Sequence, residues 1–418
     1  MKAFVIASLT LLASFSAVAA DSDPQALIKQ GEYLARAGDC VACHTAKGGK
    51  PFAGGLAMET PIGTIYSTNI TPDKNGIGTY SFEDFDKAVR HGVAQNGSTL
   101  YPAMPYPSYA RVNEADMRAL YAYFMKGVKP VEQANQDADI PWPLSMRWPL
   151  AIWRWLFAPA VEDFKPQAGQ DAVVNRGAYL VEGLGHCGAC HTPRALTMQE
   201  KALSASDSPA FLSGSAPLEG WIAKNLRGDH KDGLGSWSED QLVQFLKTGR
   251  SDRSAVFGGM SDVIVHSMQY MSDEDLTAIA RYLKSLPPVN PADKPHQYDP
   301  AVADALWNGD DSKRGAAVYI DNCAACHRTD GHGYTRVFPA LAGNPVLQSD
   351  DPTSLIHIVL KGGTLPATHT APSTFTMPAF DWRLSDQEVA DVVNFIRTSW
   401  GNKAAEVKAE DVKAIRKP

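Results

Sequence analysis

The sequence predicts a mainly α protein of three tandem repeat domains joined by Pro-rich linkers, and three observations carry that prediction. The pentapeptide Cys-x-x-Cys-His occurs at Cys40 to His44, Cys187 to His191 and Cys323 to His327, and the three copies use all six cysteines of the chain. Each copy holds the same place in a longer repeat of helix-forming segments. Pro-rich stretches such as Leu286-Pro287-Pro288-Val289-Asn290-Pro291 fall between the repeats and favour extended, stiff spacers. The predicted domains span residues 24–130, 171–290 and 309–400, with linkers at 131–170 and 291–308 and a charged tail at 401–418, a surface helix or frayed end.

Residues 1–20 combine a basic start at Lys2, an apolar run and the small-residue stretch Ala17-Val18-Ala19-Ala20. That pattern is a cleavable secretory signal, too short to span a bilayer. It predicts export to the periplasm of a Gram-negative cell. The formal charge of −7 becomes −8 without Lys2, and an acidic balance argues against nucleic-acid binding. Roughly 400 mature residues exceed one hydrophobic core.

Each repeat opens on a short helical segment that starts with glycine: Gly31-Glu32-Tyr33-Leu34, Gly177-Ala178-Tyr179-Leu180 and Gly315-Ala316-Ala317-Val318. After the pentapeptide comes an amphipathic middle helix ending at Gly92, Gly249 or Gly362. Ser81 with Asp84, and Ser238 with Gln241, read as capping boxes at two of these helix starts. The last helices are predicted over Asp116 to Gly127, Asp275 to Leu286 and Glu388 to Trp400. There Leu120 and Tyr123, Ile279 and Tyr282, and Val392 and Phe395 share one face. That face should pack on the first-helix glycine, where the missing side chain allows close approach.

Cys-x-x-Cys-His is the attachment pattern of c-type haem. Two thiols on one helical turn, Cys40 with Cys43, Cys187 with Cys190 and Cys323 with Cys326, can each form a thioether to one haem. The adjacent His44, His191 or His327 then offers an imidazole to the iron. Zinc knuckles, disulfides and thiol redox chemistry are the competing readings. Widely separated copies, each with its own His, fit them poorly. The predicted cofactors are therefore three covalent haem c groups, and the order of helices in each repeat is that of a class I cytochrome c domain.

In such a domain the sixth iron ligand is a Met between the middle and last helices, and a thioether there raises the potential. Met104 in Tyr101-Pro102-Ala103-Met104-Pro105 and Met377 in Thr376-Met377-Pro378 hold that place. The second repeat offers Met260, Met268 and Met271. Met268 and Met271 lie close to the start of the last helix, so Met260 is the predicted ligand, with His266 as another alternative. Gly183-Leu184-Gly185-His186-Cys187-Gly188 fits the dinucleotide fingerprint by spacing but follows a helix and contains a haem cysteine. No other segment suggests a flavin or nicotinamide site, and no nucleophile has a matched base. No catalytic residue is predicted.

Residues 141–157 hold four of the nine tryptophans, three prolines and two arginines. Such a segment suits a bilayer interface, a protein interface or a linker buried on the domains, but not a transmembrane helix.

Asn69-Ile70-Thr71-Pro72-Asp73, Gly76-Ile77-Gly78-Thr79-Tyr80-Ser81, Tyr101-Pro102-Ala103-Met104-Pro105-Tyr106 and Phe338-Pro339-Ala340-Leu341-Ala342-Gly343-Asn344 resemble the triple-haem cytochrome c subunits of membrane-bound bacterial dehydrogenases, nearest to the gluconate 2-dehydrogenase branch. The resemblance implies an electron-transfer subunit. Its partner would be a large FAD-containing or quinoprotein dehydrogenase subunit, with a small subunit in some complexes. Electrons would pass through three haems to ubiquinone at the periplasmic face of the cytoplasmic membrane. Subunits of alcohol, aldehyde or other sugar dehydrogenases, a free periplasmic multihaem carrier and a haem peroxidase are the alternatives.

Overall fold

The computed structural model describes residues 23–417; the proposed secretory signal lies outside the described residues. The first repeat contains α1 (Pro24–Ala37), α2 (Phe82–His91) and α3 (Glu114–Ala122). The linker contributes α4 (Trp148–Phe157). The second repeat contains α5 (Ala172–Tyr179), α6 (Glu239–Thr248), α7 (Gly259–His266) and α8 (Asp273–Ser285). The third contains α9 (Ala316–Asn322), α10 (Thr353–Lys361) and α11 (Asp386–Arg397), followed by α12 (Ala409–Arg416) in the tail. Each repeat adds one two-stranded antiparallel hairpin.

The local signals explain the helix ends. Both predicted capping boxes form, Ser81 with Asp84 and Ser238 with Gln241, and Ser385 with Glu388 makes a third. Gly92 and Gly249 close α2 and α6 in the left-handed conformation, φ 65° and 75°. The last helix of the third repeat stops at Arg397, short of the predicted Trp400. The chain turns there so that the Trp400 indole, fully buried, covers Gly331.

The three first-helix glycines sit where the first and last helices of each repeat cross. A Cβ at Gly31 would stand 1.9 Å from the Ala119 carbonyl oxygen, one at Gly177 2.0 Å from that of Ala278, and one at Gly315 2.2 Å from that of Asp391. The next nearest side-chain atoms are the β-carbons of Tyr123, Tyr282 and Phe395, the aromatic face the sequence predicts. From this glycine to the first Cys the three repeats differ by one residue each. The longest, Gly177 to Cys187, absorbs its extra residue in a wide π-type turn over Leu180–Leu184.

The first two repeats share one continuous hydrophobic core, from Leu34 to Leu286, while the third has its own. The pairing is reciprocal. The Tyr33 hydroxyl donates to Asp275 (2.6 Å) and the Tyr179 hydroxyl donates to Asp116 (2.5 Å). Each hydroxyl also accepts from the backbone N–H that starts the other repeat's last helix, Ser272 for Tyr33 and Asn113 for Tyr179. Gln30 and Arg176, each one residue before the crossing glycine, brace Asp116 and Asp275. The third repeat has Ala317 in place of the tyrosine. It meets the second through polar contacts and Trp221, whose ring lies against Phe257 and His357.

The linker is not a free spacer. Asp139 pairs with Thr64 of the first hairpin, and the Gln133 amide donates to the Ala53 carbonyl. Backbone amides of the linker find acceptors on the domain surface: Asp139 donates to the Thr64 carbonyl, Glu162 to that of Ala110 and Phe164 to that of Arg111. The tail docks as well: Val407 and Val412 are buried, and Arg416 donates to Asp386 and to the carbonyls of Asp381 and Leu384.

Candidate functional site

Each Cys-x-x-Cys-His lies on a single helical turn that follows the first helix of its repeat. In the first two repeats the residue before the first Cys reverses the chain with positive φ, Asp39 at 50° and His186 at 37°. The three histidines share one geometry. His44 Nδ1 lies 2.7 Å from the Thr68 carbonyl oxygen, His191 Nδ1 2.7 Å from that of Lys224, and His327 Nδ1 3.0 Å from that of Pro339. A carbonyl oxygen only accepts, so Nδ1 carries the proton and Nε2 keeps its lone pair. Burial lowers all three imidazole pKa values, which keeps the rings neutral. Neutral, oriented imidazoles with a free Nε2 suit an iron ligand.

The thiols fit thioether formation better than thiolate chemistry. Burial pushes Cys40, Cys187 and Cys323 up to about 12, and Cys43 up to about 11. A reactive dithiol needs thiolates, which these surroundings disfavour. A thioether carries no charge and pays no such desolvation cost. In the second repeat, Lys224 Nζ, from the residue whose carbonyl holds His191, and Trp237 Nε1 are buried donors without a protein acceptor, suited to a propionate carboxylate. Haem c therefore fits the residues present.

Met104 and Met260 are half-buried against the core of the first two repeats, and Met377 against that of the third. Met377 sits on a strand paired with Gly363, directly after α10. Met260 lies in the first turn of α7. Met268 and Met271 are 6% and 2% exposed, with side chains committed to the core. Several other histidines have protein partners: His91 with Asp86, His296 with the Trp400 carbonyl, His357 with Trp221 and His369 with Tyr270.

Two features escaped sequence reading. The attachment turn of the first repeat packs on α7 of the second. The second repeat's turn, through Ala189, faces the loop that carries Met104. Buried carboxyls lie in both seams, Asp39 in one and Glu200 in the other. Each has an oxygen with no hydrogen-bond partner. Isolated acids in polar loops give no sequence signal for this.

Asp39 supports a pH prediction. Burial, then Asp262, pushes its carboxyl up to about 8 from an ordinary 3.8, with Arg36 opposing. Between these values the folded state holds a proton that the unfolded state has released, so stability falls as pH rises through the window. The cost reaches at most roughly 6 kcal/mol at about 1.4 kcal/mol per pKa unit. Asp39→Asn, which tolerates the positive φ, should leave stability at pH 4 nearly unchanged and raise it at pH 8. Urea midpoints at the two pH values check this, and equal gains at both would refute it.

The family profile described as cytochrome c matches residues 28–127 and 312–400. Over 97% of this chain and 92% of the relative, the sequence is 66% identical to the gluconate 2-dehydrogenase cytochrome c subunit of Pantoea cypripedii. It is 57% identical to the cytochrome c subunit of the quinone alcohol dehydrogenase of Gluconacetobacter polyoxogenes, over 99% of this chain and 89% of the relative. It is 38% identical to the fructose dehydrogenase cytochrome subunit of Gluconobacter japonicus, over the whole chain and 89% of that subunit. The mainly helical fold, the three Cys-x-x-Cys-His turns and these full-length likenesses agree: the chain belongs to the cytochrome c family, in the group of dehydrogenase cytochrome c subunits, and binds haem c covalently.

Proposed function

We propose that the chain carries three haem c groups and relays electrons from a periplasmic dehydrogenase to ubiquinone at the cytoplasmic membrane. The observation that carries the reading is the threefold recurrence of one site. Each has two thiols on one helical turn, an imidazole held by a backbone carbonyl through Nδ1, and a half-buried Met after the middle helix. Bound haem supplies one-electron iron chemistry. The chain fixes the imidazoles by His44, His191 and His327, tethers the porphyrins by the six cysteines, and offers Met104, Met260 and Met377 as sixth ligands. The partner is a sugar-acid dehydrogenase of the gluconate 2-dehydrogenase kind, supported by the 66% identity. The 57% likeness to alcohol dehydrogenase subunits favours a quinoprotein as the second reading.

The membrane side of the reading rests on α4. No described helix is long and apolar enough to cross a membrane. Trp148, Ile152, Trp155 and Leu156, spaced along one face of α4, are exposed, as is Trp142 before it. The opposite face is docked: Trp153 donates to the Thr197 carbonyl and packs edge-on to Tyr106. An outward Trp-rich face of this kind suits lipid headgroups.

A pyridine haemochrome assay on the purified complex should give three haems per chain, and fewer would overturn the relay. Replacing Met260 by alanine should remove one third of the Met–iron absorption signature and lower one potential. Met268→Ala should leave both unchanged. The co-purifying large subunit and its substrate identify the electron donor.

A further inference from the structure

Between the first two repeats, beside α4, lies a cleft lined by residues of both. Its walls are Pro102 and Pro105 of the Met104 loop, Trp153 and Phe157 of α4, and Ala189 and Glu200 of the second repeat. Ala189 belongs to the attachment turn of Cys187 and Cys190, so the cleft touches the surroundings of two haem sites at once. Glu200 is only half-exposed, and its Oε2 is buried without a hydrogen-bond partner. Arg194 cannot serve it: its guanidinium donates to the carbonyls of Met198 and Ala189. The loop that carries exposed Leu196 and Met198 meets α4 at Thr197, whose carbonyl accepts from Trp153 of the cleft wall. The cleft therefore has aromatic walls, one acid, and exposed apolar side chains on an adjoining loop.

We propose that this cleft is the site where a lipid-soluble benzoquinone is reduced, with Glu200 as its proton donor. The proposal rests on the reading that ubiquinone is the electron acceptor. The enclosed space measures only about 40 Å³. The quinone ring accordingly stacks at the mouth against Trp153 and Phe157, and one carbonyl oxygen reaches inward to Glu200. When bound at the first and second repeats, haem c would supply the two electrons, one from each ferrous iron, which would become ferric. The quinone gains both electrons; one oxygen takes a proton from Glu200 and the other takes a proton from water at the mouth. Solvent then reprotonates Glu200 and the quinol leaves along α4. Burial pushes the Glu200 carboxyl up to about 7, against the pull of Arg194 and Arg111. The thiols of Cys187 and Cys190 face it from the attachment turn. It thus holds a proton over much of the neutral range and still exchanges it with water.

The test uses the detergent-solubilised complex with its dehydrogenase partner. A photoreactive azido-ubiquinone should label peptides spanning residues 148–157 or 194–203, and excess ubiquinone should suppress the labelling. Glu200→Gln should lower the ratio of decylubiquinone to ferricyanide reduction at least tenfold at unchanged haem content. Trp153→Ala, on the surface helix, should reduce labelling and raise the quinone KM. A wild-type complex that neither binds nor reduces quinone would remove the acceptor reading and the site with it. Quinone reduction that survives both substitutions, with the label elsewhere, would overturn this site alone.

Discussion

Gly177→Ala is expected to destabilise the paired first and second repeats by about 3 kcal/mol or more, as overpacking at a backbone contact does. The helix itself would gain from alanine, by about 1 kcal/mol of propensity. The crossing decides the sign. The added carbon would sit 2.0 Å from the Ala278 carbonyl oxygen and 2.6 Å from the β-carbon of Tyr282. Neither belongs to the end of a flexible side chain, so α5 and α8 must move apart. That shift would loosen the Tyr282 hydroxyl from Glu182, a bond of 2.5 Å in the buried interior. Gly259→Ala is the control, because a Cβ there meets nothing within 4 Å. Urea midpoints of the two variants should differ by most of the predicted loss, and equal midpoints would show that the crossing tolerates a methyl group.

Arg111→Ala should cost about 3–5 kcal/mol, the range for stripping the partner from a buried charge. Arg111 of the first repeat donates to Glu182 of the second at 2.6 Å, and the Glu182 side chain is 8% exposed. The same carboxylate accepts from the Tyr282 hydroxyl and the Ala205 N–H. Removing the guanidinium leaves the negative charge in the seam between two repeats, with only neutral donors around it. Combining Arg111→Ala with Glu182→Gln should recover part of the loss, since an amide oxygen still accepts from Tyr282 without a net charge. Chemical denaturation of both variants checks the pair; a double variant less stable than Arg111→Ala would contradict the charge argument.

Much of the local architecture was legible because it depends on short-range chemistry. The capping serines, the terminal glycines and the crossing glycines each act within a few residues or along a helix face. The Ser385–Glu388 box has the same signature and went unread. The pairing of the first two repeats was not legible, because Tyr33 and Asp275 lie 242 residues apart and nothing local to either names the other. In hindsight the tyrosine two residues after the crossing glycine, present twice and replaced by Ala317 in the third repeat, is the signal. The imidazole partners were illegible for another reason. Thr68, Lys224 and Pro339 have no side-chain chemistry in common, since each contributes only its carbonyl. Likewise, no pattern announces that a loop glutamate will be buried without a partner.

The reciprocal Tyr–Asp contacts have the form of an isologous dimer whose two halves share one chain. In a true dimer every substitution appears on both sides of the axis. Here each acts once, and the halves have already diverged: Gln30 against Arg176, Asp39 against His186. A symmetric pair of redox centres has no preferred direction between them. Covalent fusion frees the two environments to differ while the seam that couples them stays intact, which is the condition for a bias in the direction of transfer.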